Sequence, residues 1–328
     1  MQTTVTSANE NAADLAAHTA WLEIADNVGL SALLDGNSPF TIGEAVGLGR
    51  VPKAAASSLL MGLVAAGLLE RDGDLFVPCF DMAQRRYEAG YVSWALTANR
   101  PYLDHAEKYL RDPDAVAGRF ERDGRSVAIS SRWIGSGGFY PDQCAALLAG
   151  RPRRIVDLGS GAGQLLIQLL TALPNATGLA LDMSAEACET AEEAAKEASV
   201  ADRLTVVNRP IQSLLGDPEP VRGASVVHAG FVLHDVADDP VILHGILRAC
   251  HDGLSDGGRL VVTDAVPYAQ DRRERAFSAL FTYLHATSMG VRLLSEDEWR
   301  VAFEAAGFGE VTMTPLPMPG SRLFIATR

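Results

Sequence analysis

From residue 153 onward, short apolar runs alternate with longer stretches in which apolar positions return at helical spacing. The runs Arg154-Ile-Val-Asp-Leu158, Gly178-Leu-Ala-Leu-Asp182, Arg203-Leu-Thr-Val-Val207, Ala224-Ser-Val-Val-His-Ala-Gly230 and Gly258-Arg-Leu-Val-Val-Thr-Asp264 read as buried strands, too short and too rich in Val, Leu and Ile for amphipathic helices. Helical patterns separate them, notably Leu165 to Leu173, Ala185 to Ala198 and Pro240 to Cys250. Two further runs, Glu310 to Met313 and Arg322 to Ala326, follow each other without an intervening helix and predict a terminal antiparallel hairpin. Strand and helix in alternation give a parallel sheet covered on both faces. The expected fold is therefore α/β and Rossmann-like, a seven-stranded, mostly parallel sheet with one antiparallel strand.

The first half follows a different pattern. Residues 1 to about 11 are polar and predict disorder, and Asp14 to Leu34 have helical spacing. Thr41-Ile-Gly-Glu44 reads as a capping box, Pro52 opens a second helix running to about Ala66, and Leu68 to Val77 alternates around Asp72-Gly73 as a hairpin. Helix, turn, helix and hairpin form a winged-helix arrangement. Residues 81 to 150 read as mainly helical and hold the aromatics Tyr91, Trp94, Tyr102, Trp133, Phe139 and Tyr140, with Arg100 and Arg132. The expected domains are 1–110, a winged-helix dimerisation domain; 111–150, a helical linker and pocket region; and 151–328.

Composition narrows the partners. A net charge of −13 argues against nucleic acid, and the second helix carries one lysine where a recognition helix needs several side chains able to read base edges. The longest apolar stretch, Leu59 to Leu69, is too short to span a bilayer, and the start of the chain lacks the basic and apolar regions of a signal peptide. A cytoplasmic protein without nucleic-acid or membrane partners is expected. Cys79, Cys144, Cys188 and Cys250 stand far apart and indicate neither a zinc knot nor a disulfide framework.

The stretch Asp157-Leu-Gly-Ser-Gly-Ala-Gly163 carries the first chemical signal. It joins a strand to a helix, its glycines let the backbone pass close beneath a ligand, and the amides of the following helix form a positive dipole end. A dinucleotide fingerprint would need a small residue at 164, where Gln stands. The pattern D-x-G-x-G-x-G is instead similar to the first motif of class I S-adenosylmethionine (SAM) methyltransferases. Asp182, at the tip of the next strand, suits a ribose diol, because a carboxylate accepts two hydroxyl hydrogen bonds.

With the winged-helix start, Phe231-Val-Leu-His-Asp235, Asp256-Gly-Gly-Arg-Leu-Val-Val-Thr-Asp264, Glu298-Trp299 and Ala306-Gly-Phe308, nearly the whole chain resembles the plant-type (caffeate-like) small-molecule O-methyltransferases and their bacterial relatives. The resemblance implies a homodimer whose amino-terminal domain lends part of the pocket. It also implies a SAM site at Asp157, Gly159, Ser160, Gly161, Asp182, Met183, Gln212 and Phe231, and a pair, His234-Asp235, in which the histidine deprotonates a phenol.

One position departs from that family. Its G-x-R-E-R-T stretch supplies a glutamate that orients the histidine, and here Gly290-Val-Arg-Leu-Leu-Ser295 puts Leu293 in that place. His285 stands 51 residues after His234, and the two with Asp235 resemble the metal set of bacterial α-keto acid C-methyltransferases of the phenylpyruvate type. That resemblance implies a non-haem iron, or zinc, on His234, His285 and Asp235. The metal would stabilise the enolate of a small α-keto acid whose β-carbon is then methylated, in peptide natural-product biosynthesis. Arg132 is the expected clamp for the substrate carboxylate. Metal-free O-methylation of a phenol or enol, with His234 as base, is the alternative.

Overall fold

The computed structural model describes residues 8–36, 38–116 and 118–328, and divides into two compact units, Met1–Gly138 and Phe139–Arg328. The disorder expected for residues 1 to 11 falls largely outside the described residues; from Ala8 the chain is helical.

In the first unit, the helix Ala8–Asn27 ends before Gly29, whose left-handed φ of 78° turns the chain into a separate short helix, Ser31–Asp35. The single helix expected over 14 to 34 is thus two, because a left-handed residue cannot continue a right-handed helix. The capping box is present: the Glu44 amide donates to Thr41 Oγ1, and the Thr41 amide donates to Glu44 Oε2 at 2.7 Å. It opens the helix Ile42–Gly49, followed by the helix Lys53–Ala65. Strands β1 (Phe40–Thr41), β2 (Leu69–Asp72) and β3 (Leu75–Pro78) make an antiparallel sheet in the order β1-β3-β2.

The helix Lys53–Ala65 sinks Ala56, Leu60 and Leu63 into this unit's core. Trp21 lies so close over Gly62 that an added Cβ would come within 2.4 Å of its ring. The face opposite the core, with Ser58 and Met61, is exposed, and the helix offers Lys53 but no Arg, Asn or Gln to read base edges. Later in the unit, the helices Met82–Val92 and Gly124–Gly138 approach at Gly90, where a Cβ would meet the Ile134 backbone nitrogen at 2.8 Å. Trp94, Tyr102 and Trp133 are buried, as aromatics at helical spacing usually are.

The second unit is a seven-stranded sheet in the order β6-β5-β4-β7-β8-β10-β9. Its strands are β4 (Arg154–Leu158), β5 (Thr177–Asp182), β6 (Leu204–Asn208), β7 (Ala224–Gly230), β8 (Leu254–Ala265), β9 (Glu310–Pro315) and β10 (Ser321–Thr327). Neighbours from β6 to β8 pair in parallel, whereas β10 is antiparallel to both β8 and β9. The helices Gln164–Ala172, Ala185–Glu197 and Pro240–Gly253 connect the parallel strands. Between β6 and β7 only short 3-10 turns occur, since Pro210, Gly216, Pro218 and Pro220 deny an α-helix its amide donors and regular backbone.

The late Glu298-Trp299 has structural work here. Ser295 and Glu298 form a second capping box, and the hydrogen bond from the Ser295 amide holds the Glu298 carboxyl below its ordinary range. Trp299, fully buried, packs between Phe303 and Phe324 at 5.6 and 5.7 Å. Trp299→Ala is expected to lower stability by about 3–5 kcal/mol through the cavity it leaves, measured by denaturant unfolding. Among the described residues no helix is long and apolar enough to cross a membrane.

Candidate active site

Strand order reverses between β4 and β7, so the crevice at their carboxyl ends is the expected ligand position of an open α/β sheet. The glycine loop lies at this crevice. Gly159, Gly161 and Gly163 all have left-handed φ, at 69°, 53° and 70°. A Cβ at Gly159 would strike Val232 Cγ2 at 2.7 Å, and one at Gly163 would approach Ala191 Cβ at 3.0 Å. A Cβ at Gly161 would meet nothing within 4 Å, so this backbone is the open face of the loop.

The loop is fastened to the end of β5. Gly159 and Ser160 amides donate to the Leu181 carbonyl, and the Gly161 amide donates to Asp182 Oδ2 at 2.8 Å. Asp182 Oδ1 accepts from the Ser184 amide at 2.9 Å. Each carboxylate oxygen keeps further acceptor capacity for a diol. Met183, 76% exposed, stands beside it, and Gln212 is exposed in the 3-10 turn Ile211–Leu215 after β6. Phe231 follows β7 with a left-handed φ of 52°, strained for an aromatic residue, and packs edge-on against Phe139 with centroids 5.0 Å apart.

Asp157 does not face outward. It is buried, and its Oδ1 lies 2.7 Å from His228 Nδ1 on the neighbouring strand, in register across β4 and β7.

His234 sits in the 3-10 turn Leu233–Val236, buried, with Nδ1 2.6 Å from Asp264 Oδ1. Asp264 ends the long parallel part of β8 and is fully buried; it also accepts from the His234 and Ala265 amides at 3.2 and 2.8 Å. The expectation that Leu293 leaves the histidine without an orienting carboxylate is therefore corrected. Leu293 is buried, and Asp264 holds the ring from the adjacent strand end. The sequence carried a signal for this: β4, β5 and β8 each bring an acid to the same edge of the sheet, and only the first two were assigned work.

A carboxylate can only accept, so Nδ1 carries the proton and the lone pair of neutral His234 stands at Nε2. Asp235, whose side chain is 59% exposed, comes within 3.4 Å of that Nε2. His285 is buried at the start of the π-helical turn His285–Met289, which continues the helix Arg275–Leu284 and ends at Gly290. Its Nδ1 donates to the Phe281 carbonyl at 2.7 Å, which likewise puts the lone pair on Nε2. The two imidazoles meet edge to face with centroids 5.3 Å apart, so the structure brings His234 and His285 together. Among the described residues no group of three or more His, Cys, Asp and Glu stands close enough to hold a metal ion. Arg132 lies in the first unit, half-exposed, 3.7 Å from Asp26.

Residues 156–260 match the family model described as a methyltransferase domain. The chain is 27% identical to a 3-hydroxy-5-methyl-1-naphthoate 3-O-methyltransferase of Streptomyces sahachiroi, over 89% of this chain and 85% of that one. It is 34% identical to the aclacinomycin 10-hydroxylase RdmB of Streptomyces purpurascens over 44% of this chain, a match spanning 37% of that protein's own length. Among solved structures, human N-acetylserotonin methyltransferase in complex with SAM aligns over 100% of this chain and 99% of its own, with a TM-score of 0.63 at 16% identity. PigF with S-adenosylhomocysteine aligns over 96% of each chain, with a TM-score of 0.59 at 20% identity. Residues 156–260 thus carry a methyltransferase domain, and nearly the whole chain is similar to the 3-O-methyltransferase of Streptomyces sahachiroi.

Proposed function

We propose that the protein methylates an acidic hydroxyl, a phenol or an enol, of a small natural-product intermediate, with His234 as general base. The observation that carries this reading is the buried Asp264–His234 pair, which fixes the tautomer that leaves a lone pair on Nε2. In this mechanism the acceptor hydroxyl gives its proton to Nε2 as its oxygen attacks the sulfonium methyl in line. The new O–C bond forms as the C–S bond breaks, and the electron pair stays on sulfur in S-adenosylhomocysteine. Asp264 steadies the imidazolium from one side, Asp235 from the other, and the proton passes to solvent on product release. The glycine loop, Asp182 and the residues at 183, 212 and 231 hold SAM in this reading. The naphthoate relative, which methylates a hydroxyl by its name, supports it.

One observation favours a second reading. Both histidines commit Nδ1 to an acceptor, the usual support of metal-ligating imidazoles, and both lone pairs are at Nε2. His234, His285 and Asp235 have the donor chemistry for iron or zinc, although Asp235 would have to close on the two rings. Such an ion would act as a Lewis acid on the enolate of an α-keto acid, and methylation would then fall on carbon.

His285→Ala separates the two. With His234 as a metal-free base, kcat/KM is expected to stay within about fivefold of wild type, a change of about 1 kcal/mol, and chelator treatment should leave it unchanged. Loss of turnover in both experiments, restored by added iron or zinc, would establish the second reading instead.

A further inference from the structure

We infer that His228, with Gln143 and Thr263, forms the seat for the α-ammonium group of SAM. The inference rests on SAM as the cofactor and extends it to residues that no comparison assigns. His228 and Asp157 bridge β4 and β7, the two strands between which chain order reverses, and so lie directly beneath the crevice. Both are only 4% exposed. Asp157 accepts at Nδ1, which puts the lone pair of neutral His228 at Nε2, and that atom is buried without a hydrogen-bond partner.

Two more buried side chains share this deficit. Gln143, on the helix Tyr140–Leu148, is 1% exposed with Oε1 unpartnered, and Thr263, opposite Gly230 in register, is fully buried with Oγ1 unpartnered. His228 and Gln143 meet at Gly230, and Thr263 is its register partner on β8. A Cβ at Gly230 would lie 3.0 Å from His228 Cε1, 3.4 Å from its Nε2 and 3.4 Å from Gln143 Nε2. The glycine therefore leaves the ring edge clear of any side chain of its own, at the carboxyl end of β7.

Unpartnered buried polar atoms are costly, and three at one place point to a ligand that completes them. All three can accept a hydrogen bond, and a primary ammonium has three N–H bonds to donate. The Asp157 carboxyl lies buried against His228 at the same place, and a cation suits such an acidic group. The amino-acid end of SAM is the part of the cofactor that carries such a cation.

The test is calorimetric binding of three ligands to the full-length protein. These are S-adenosylhomocysteine, its decarboxylated analogue that keeps the amine (5′-deoxy-5′-(3-aminopropylthio)adenosine), and 5′-methylthioadenosine, which lacks the amino-acid end. His228→Leu is expected to weaken the first two by roughly ten- to hundredfold, the range for hydrogen bonds to a charged group, and to leave methylthioadenosine within about twofold. Because that change strands the Asp157 carboxylate, Gln143→Leu is the companion variant. It strands no charge and should weaken the same two ligands by about fivefold.

Equal losses for methylthioadenosine, no loss for S-adenosylhomocysteine, or a loss confined to the carboxylate-bearing ligand would each overturn the assignment. Wild type failing to bind S-adenosylhomocysteine would instead strike at SAM as the cofactor, so the two failures are distinguishable.

Discussion

Replacing His234 by alanine is expected to lower kcat by about 10²–10⁴-fold, the range for removal of a positioned general base, with S-adenosylhomocysteine affinity within about twofold of wild type. The split follows from the geometry. The ring belongs to the 3-10 turn after β7 and its Nδ1 is engaged by Asp264, so Nε2 is the nitrogen that serves the acceptor. In the proposed reading the cofactor is held by the loop after β4 and the end of β5, whose own hydrogen bonds make no use of the imidazole. Single-turnover kinetics with S-adenosylhomocysteine titration measure both quantities. A variant that lost cofactor affinity as steeply as turnover would show that the histidine shapes the SAM site instead.

Asp264→Asn is expected to lower kcat by a comparable factor, about 10²–10⁴-fold, although it removes no atom that touches the acceptor. The carboxylate takes three hydrogen bonds, from His234 Nδ1, the His234 amide and the Ala265 amide. An asparagine whose carbonyl oxygen keeps the His234 amide puts its NH₂ where Oδ1 stood, facing Nδ1 and the Ala265 amide, and there it can only donate. The ring answers by moving its proton to Nε2, and the base is lost while the fold persists. Near-ultraviolet circular dichroism should stay native, and proton–nitrogen spectra of the imidazole should report the changed tautomer. Full activity in Asp264→Asn, or an unchanged tautomer, would remove Asp264 from the account.

Much of this architecture is legible in the sequence. The apolar runs at 154–158, 178–182, 224–230 and 258–264 became strands because buried parallel strands have little choice of residue, and the glycine triplet marked the crevice because left-handed backbone favours glycine. Long-range pairing was the part that stayed hidden. Asp264 lies 30 residues beyond His234, and only the parallel register of β7 and β8 brings them together; the local pattern around Leu293 pointed to a missing partner that another strand supplies. His228 shows the same limit. Along the chain it is one histidine in an apolar run, and only the register with Asp157 reveals a buried polar pair. His285 was legible as a candidate, but its nearness to His234 depends on the helix Arg275–Leu284 ending in a π turn that no spacing rule announces.

The most direct measurement is the position of the transferred methyl group. Incubation of the purified protein with methyl-labelled SAM and a panel of phenols and α-keto acids, with and without chelator, followed by mass spectrometry and carbon NMR, reads it out. Base catalysis at His234 predicts a methyl on oxygen, formed at the same rate in both conditions. A methyl found only on the β-carbon of a keto acid, and lost with the chelator, would contradict it.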